Sequence, residues 1–180
     1  GGTSLVKNGT GTTLMATNNT YSGGTTVNDG TLQIGNGGTT GALGAGNTAL
    51  TLASSTAPFK RSDASTYNGV ISGAGGVRSD GTGVTTLNGA NTYAGGTVIS
   101  KGTLQGNHNS FGTGTITLND ASTGAENTAL LVQTGATVTI PNNIVVSNNG
   151  TGSSVIGSSE DSLVGSGLAF SGTVTLDRPT

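Results

Sequence analysis

The stretch NNTYSGGTTVNDGTLQIG, residues 18–35, returns as ANTYAGGTVISKGTLQG at residues 90–106. Tyr21 and Tyr93 lie 72 positions apart. Asn19, Gly23, Gly24, Thr25, Gly30, Thr31, Leu32 and Gln33 recur at the same offset as Asn91, Gly95, Gly96, Thr97, Gly102, Thr103, Leu104 and Gln105. Composition alone does not produce an ordered match of this length, so the chain reads as a repeat protein, and its period has to be interpreted before its residues.

Both units share one grammar. Asn-Thr-Tyr leads into a Gly-Gly corner, and a short β-rich run follows, Thr25-Thr26-Val27 or Thr97-Val98-Ile99. Asn28-Asp29-Gly30 or Ser100-Lys101-Gly102 then turns the chain, because glycine enters the φ > 0 region without steric cost. Thr31-Leu32-Gln33-Ile34 reads as the next strand, with Leu32 and Ile34 on one face and Thr31 and Gln33 on the other. So short a turn could also join a hairpin, but the long period favours a solenoid in which each turn of chain lies on the one before.

In this order, Asn-Thr-Tyr, Gly-Gly-Thr and Gly-Thr-Leu-Gln resemble the autotransporter-associated β-strand repeat of bacterial secreted surface proteins. The full matches cover residues 1–35 and 73–106, with weaker echoes between and beyond. The resemblance implies an all-β, right-handed parallel β-helix carried as an exported passenger or large surface protein. It implies extracellular or outer-membrane-associated placement and specifies no activity. At roughly 20–24 residues per turn, the chain would make about seven to nine turns. Residues 1–180 read as a single β-helical segment, and the mid-repeat start GGTSLVKNGTG suggests part of a longer chain, without a signal peptide. No charged cap or terminal helix is evident, so a longer chain or end-to-end stacking is expected.

Composition narrows the function. Of 180 residues, 34 are glycine, only 8% are charged and 3% aromatic. Such a composition alone would suit a disordered linker, but the regular return of Val, Ile and Leu in alternating runs argues for order. The net charge of −2, with Lys60-Arg61 the only adjacent basic pair, offers no footprint for nucleic acid. No apolar run approaches the roughly 20 residues of a membrane helix. Cysteine is absent, which does not place the chain in the cytosol.

The remaining strands are expected at NTALTLA (47–53), with Leu50 and Leu52 inward, and at 69–72, 115–118, 129–132, 137–140, 144–146, 155–156, 168–170 and 173–176. The wider spacing late in the chain predicts less uniform turns there. Thr13 and Thr85 stand where the family has leucine, and a stacked threonine column would satisfy their hydroxyls. The stretch SSTAPFKRSDASTYN (54–68) is the least repeat-like. Phe59, Lys60, Arg61 and Tyr67 form its candidate surface-binding loop, because loops on a solenoid often carry binding.

Candidate chemistry is sparse. His108 is the only histidine, and a Ser-His-Asp triad would need Ser110 or Ser100 as nucleophile and Asp120 as orienter, but no Gly-x-Ser-x-Gly elbow presents a serine. Glu160-Asp161, with Asp29, Asp63 and Asp80, are the acids from which a polysaccharide-cleaving or Ca²⁺-holding site would be built. Asp29 and Asp80 are not matched by acids at the 72-residue offset, and turn chemistry explains them. Tyr21 and Tyr93 are expected to stack over a neighbouring turn with their hydroxyls bonded, and Asn19 and Asn91 to join an asparagine ladder. Thr-x-Thr runs at 115–117, 137–139 and 173–175 raise ice binding, against which their unequal spacing argues.

The expected function is a structural and adhesive rod of a bacterial exported surface protein, not an enzyme and without cofactor. A cell-surface glycan or a host or matrix protein would be its partner. The alternatives are a self-assembling extracellular filament subunit and a polysaccharide-binding or polysaccharide-cleaving β-helix.

Overall fold

In the computed structural model, residues 2–133, 138–159 and 167–177 are described; Glu160 and Asp161 lie outside them. Among the described residues every element is a strand, and every strand pair is parallel. A hairpin would give antiparallel partners, so the short Gly turns are corners of a coil, as the repeat predicts.

The first half runs β1 (Leu5–Lys7), β2 (Thr12–Met15), β3 (Thr25–Val27), β4 (Thr31–Ile34), β5 (Thr48–Leu50), β6 (Thr56–Phe59), β7 (Ser65–Tyr67), β8 (Ile71–Gly73), β9 (Gly76–Ser79) and β10 (Val84–Leu87). The second runs β11 (Thr97–Ile99), β12 (Gly102–Gly106), β13 (Ile116–Leu118), β14 (Thr128–Val132), β15 (Val138–Ile140), β16 (Ile144–Val146), β17 (Ser154–Ser158), β18 (Leu168–Phe170) and β19 (Val174–Leu176). One sheet is the spine, stacking β2, β4, β6, β9, β11, β13, β16 and β19. The strand that precedes each spine strand belongs, where present, to β1-β3-β5-β8 or to β15-β18; the strand that follows belongs to β7-β10-β12-β14-β17. This is a three-faced solenoid of about seven turns. Eight spine strands spaced ~4.8 Å apart make a rod about 34 Å long.

Turn length drifts as the sequence suggests. Along the spine Thr12 pairs Thr31 and Thr97 pairs Ile116, offsets of 19, whereas Ile144 pairs Val174, an offset of 30.

The core is a set of inward columns. Val77, Thr97, Ile116 and Ile144 stack on the spine, as do Ser79, Ile99, Leu118 and Val146. Leu104 and Leu130 continue on the neighbouring face. Leu32, Leu50, Ile71, Ile99, Leu104 and Leu118 are fully buried. The core needs few aromatics because each turn presents only a few side chains per face to its neighbours.

Three expectations are corrected. Leu52 is 48% exposed, because β5 ends at Leu50 and its inward pair is Thr48 and Leu50. No threonine column forms at Thr13 and Thr85: Thr13 pairs Leu32 and is exposed, while Thr85 lies inward between Ser65 and Leu104. The stretch 54–68 is not an inserted loop, since it supplies β6 and β7. Pro58 hides β6 from a sequence reading. It lacks an N–H, and β6 pairs β4 only at its ends, Thr31 with Thr56 and Ile34 with Phe59.

The two copies of the repeat do not stack on one another. In the first copy Thr25–Val27 lies on the face before the spine and Thr31–Ile34 on the spine itself. In the second, Thr97–Ile99 is on the spine and Gly102–Gly106 on the face after it. An offset of 72 residues is therefore three turns plus one face, and residues that match in sequence are not neighbours in space.

Candidate functional site

Each repeat tyrosine is held at both ends. The Tyr21 hydroxyl lies 2.7 Å from Thr25 Oγ1 and that of Tyr93 lies 2.6 Å from Thr97 Oγ1. Thr97 spends its own proton on the Phe111 carbonyl, 2.9 Å away, so Tyr93 is the donor of its pair. The rings rest on glycines of the next turn. A Cβ at Gly44 would strike the Tyr21 ring and carbonyl, and one at Gly112 would come within 2.6 Å of the Tyr93 ring. Tyr93 is fully buried, and burial pushes its phenol far above the usual range, the Thr97 hydrogen bond offsetting part of the rise. Gly30 and Gly102, the turn glycines, have φ of 72° and 63°, as the turn requires.

The asparagines depart from expectation. The Asn91 side chain does not meet another asparagine side chain: Oδ1 accepts from the Ile71 N–H at 2.7 Å and Nδ2 donates to the Ser110 carbonyl at 2.6 Å, clamping the turns on either side. Asn19 donates to the Thr17 and Ala42 carbonyls. The amide-to-amide contacts are made elsewhere, Asn28 to Asn8 and Asn88 to Asn68, each at 2.7 Å. A residue amid backbone ends that lack strand partners binds those ends first.

The candidate surface loop divides in two. Phe59 and Tyr67 are core, 4% and 6% exposed, with ring centroids 6.3 Å apart. Tyr67 donates to the Gly46 carbonyl at 2.6 Å and pairs with Thr48 Oγ1 at 2.7 Å. Thr48 has Gly44 where Thr25 and Thr97 have a tyrosine four residues earlier, and Tyr67 reaches it from the next face. Only Lys60 and Arg61 remain at the surface, both half-buried. Arg61 binds Asp63 through two hydrogen bonds, at 2.9 and 2.8 Å, and reaches Asn18 and the Gly41 carbonyl. The Arg61 hydrogen bond holds the Asp63 carboxyl below the usual range.

Several other charged groups are likewise bound within the rod. Arg78 meets Asp80 at 3.2 Å, Asp120 at 3.1 Å and Ser100 Oγ at 2.6 Å, spanning three turns at one corner. Asp29 accepts from the Gly30 N–H and from Ser54 Oγ. Lys7 occupies an inward column above Val27 and is 5% exposed; its Nζ donates to the Gly9 and Asp29 carbonyls at 2.6 and 2.8 Å.

The triad weighed and set aside for His108 is not assembled. Ser110 is fully buried and its Oγ accepts from the Asn107 N–H, Ser100 binds Arg78, and Asp120 binds Arg78. Among the described residues no group of three or more His, Cys, Asp or Glu could hold a metal ion. The Thr-x-Thr runs do not align: Thr117 stacks on Val145, and Thr139 lies on another sheet.

One concavity was not legible in the sequence. On the face before the spine the sheet is interrupted for two turns between β8 and β15. A cleft of about 400 Å³ opens there, crossing three turns and lined by Thr92, His108, Asn109, Gly112, Pro141 and Asn142 among others.

A parallel β-solenoid that binds many of its charged groups within itself, with tyrosines seated on glycines, defines a repeat scaffold. Comparisons with known proteins agree. Residues 5–34 and 80–105 match the family model of the passenger-associated-transport-repeat. The adhesin BmaC autotransporter of Brucella suis biovar 1 (strain 1330) is 47% identical over 75 residues, 42% of this chain and 2% of that protein. No solved structure matches. The chain thus carries an autotransporter-associated repeat, of the kind found in secreted or surface-exposed passengers, and spans about one-fiftieth of the curated relative it matches.

Proposed function

We propose that the chain is a structural and adhesive rod segment of a bacterial surface passenger, holding surface groups at a distance from the cell. The observation that carries this reading is the eight-strand spine. Parallel backbone ladders run the length of the rod, and side-chain clamps such as Asn91 and Arg78 tie successive turns together. Interactions of this kind act between neighbouring turns, so they resist bending and pulling. The similarity to an autotransporter adhesin supports the adhesive half of the reading.

The test is an in-frame deletion of this segment from the surface protein that carries it, with bacterial attachment as the readout. Attachment should fall, and an unrelated β-solenoid of equal turn number should restore it where the segment acts as a spacer. Restoration only by the segment itself would assign it the adhesive contact. Attachment unchanged by the deletion would sink the proposal.

A further inference from the structure

We propose that the cleft on the interrupted face is a binding site for a neutral saccharide unit. It arises because turns five and six put irregular backbone where the face elsewhere has strands. The compact turn at 107–110, closed by the Ser110 N–H to the Asn107 carbonyl and by the Asn107 N–H to the Ser110 hydroxyl oxygen, carries His108 and Asn109 into the lining. Ala90 and Thr92 line the cleft from the turn before, and Pro141 from the turn after.

Three features select the ligand. The first is charge: among the described residues no Asp, Glu, Lys or Arg lines the cleft, so none of them would offset a phosphate, sulfate or carboxylate. The second is the supply of neutral hydrogen-bonding groups. The Thr92 hydroxyl, the His108 imidazole and the Asn109 amide are exposed and make no side-chain hydrogen bond within the protein among the described residues. Asn142 is 4% exposed, gives Nδ2 to the Gly112 and Gly114 carbonyls at 3.1 and 2.8 Å, and leaves Oδ1 without a donor. That oxygen is itself buried, so Asn142 ties the lining together and the hydrogen bonds to a ligand fall to Thr92, His108 and Asn109. The third is shape. Ala90, Gly112 and Pro141 give flat apolar patches between the polar groups, and a volume of about 400 Å³ suits a compact ring rather than an extended chain. A sugar ring carries both a C–H face and a rim of hydroxyls that each donate and accept. A peptide would pair along a strand, and none of the described lining residues lies in one.

This inference rests on the cleft and not on the rod reading: a spacer with no role in attachment could still hold a sugar here. The test is backbone-amide NMR of the 180-residue chain titrated separately with glucose, galactose, mannose and N-acetylglucosamine. At least one should shift the amides of residues 90–92, 108–113 and 142 and leave those of β2–β6 unmoved. Ala90→Trp, which fills the cleft from an exposed position without removing a hydrogen bond, should weaken that binding at least about tenfold. Asn109→Ala should weaken it by a smaller factor. Absence of localised shifts with all four sugars overturns the site, as does binding indifferent to Ala90→Trp in a variant whose remaining spectrum is native. Shifts from an Asn- and Ser-rich peptide but from no sugar would also overturn it and make the cleft a peptide site.

Discussion

Tyr93 concentrates the physics of the repeat in one side chain. Its ring fills the core, its hydroxyl donates to Thr97, and its seat is a glycine of the next turn. Tyr93→Phe keeps the ring and removes the donor, leaving the Thr97 oxygen with no donor, and should cost about 1 kcal/mol. Tyr93→Ala leaves a cavity and should cost about 3–5 kcal/mol. Urea unfolding of the purified chain would measure both, and equal losses would refute this division of roles. Gly112→Ala attacks the same seat from the other side: φ is 67° and the new methyl meets the ring. It should destabilise by more than about 1 kcal/mol. The tyrosines were legible in the sequence because the same element occurs twice. Phe59 and Tyr67 were not, because Pro58, Lys60 and Arg61 give their neighbourhood the look of a loop although both rings point inward. The asparagines were misread because their partners are backbone groups, which sequence similarity does not display.

At the level of elements, the corner after the spine strands is held by charge. Burial would raise the Asp120 carboxyl, but hydrogen bonds from Ser100 and Arg78, with the Arg78 charge, outweigh it and hold the group below the usual carboxylate range. A carboxyl lowered in the folded state stabilises above its unfolded value, near 3.9, and that contribution fades as pH falls through the lower folded value. Stability measured by urea unfolding should therefore drop below about pH 4. Asp120→Asn should flatten that drop while lowering stability at neutral pH, and an unchanged acid profile would show that the pair contributes nothing. Strand positions followed from alternation and Gly turns, and all the expected late strands that fall on described residues are present. The cleft did not follow, since it depends on where turns of unequal length leave a face without strands.

Across the whole molecule each turn packs only on its neighbours, so protection should be graded. Hydrogen exchange of the isolated chain should be slowest at β9, β11 and β13, which have turns on both sides, and faster at β2 and β19, which lie at the two edges of the spine. Uniform protection along the spine would mean that the rod opens as one unit. The 72-residue offset has a further result for display. Three turns plus one face is a screw operation, so the second copy of the repeat points about one face around the axis from the first. A third copy at the same offset would take up the remaining azimuth, and a fourth would return to the original heading. Whatever a passenger built on this period carries at its Gly-Gly corners would be presented in every radial direction in turn, so such a shaft has no back.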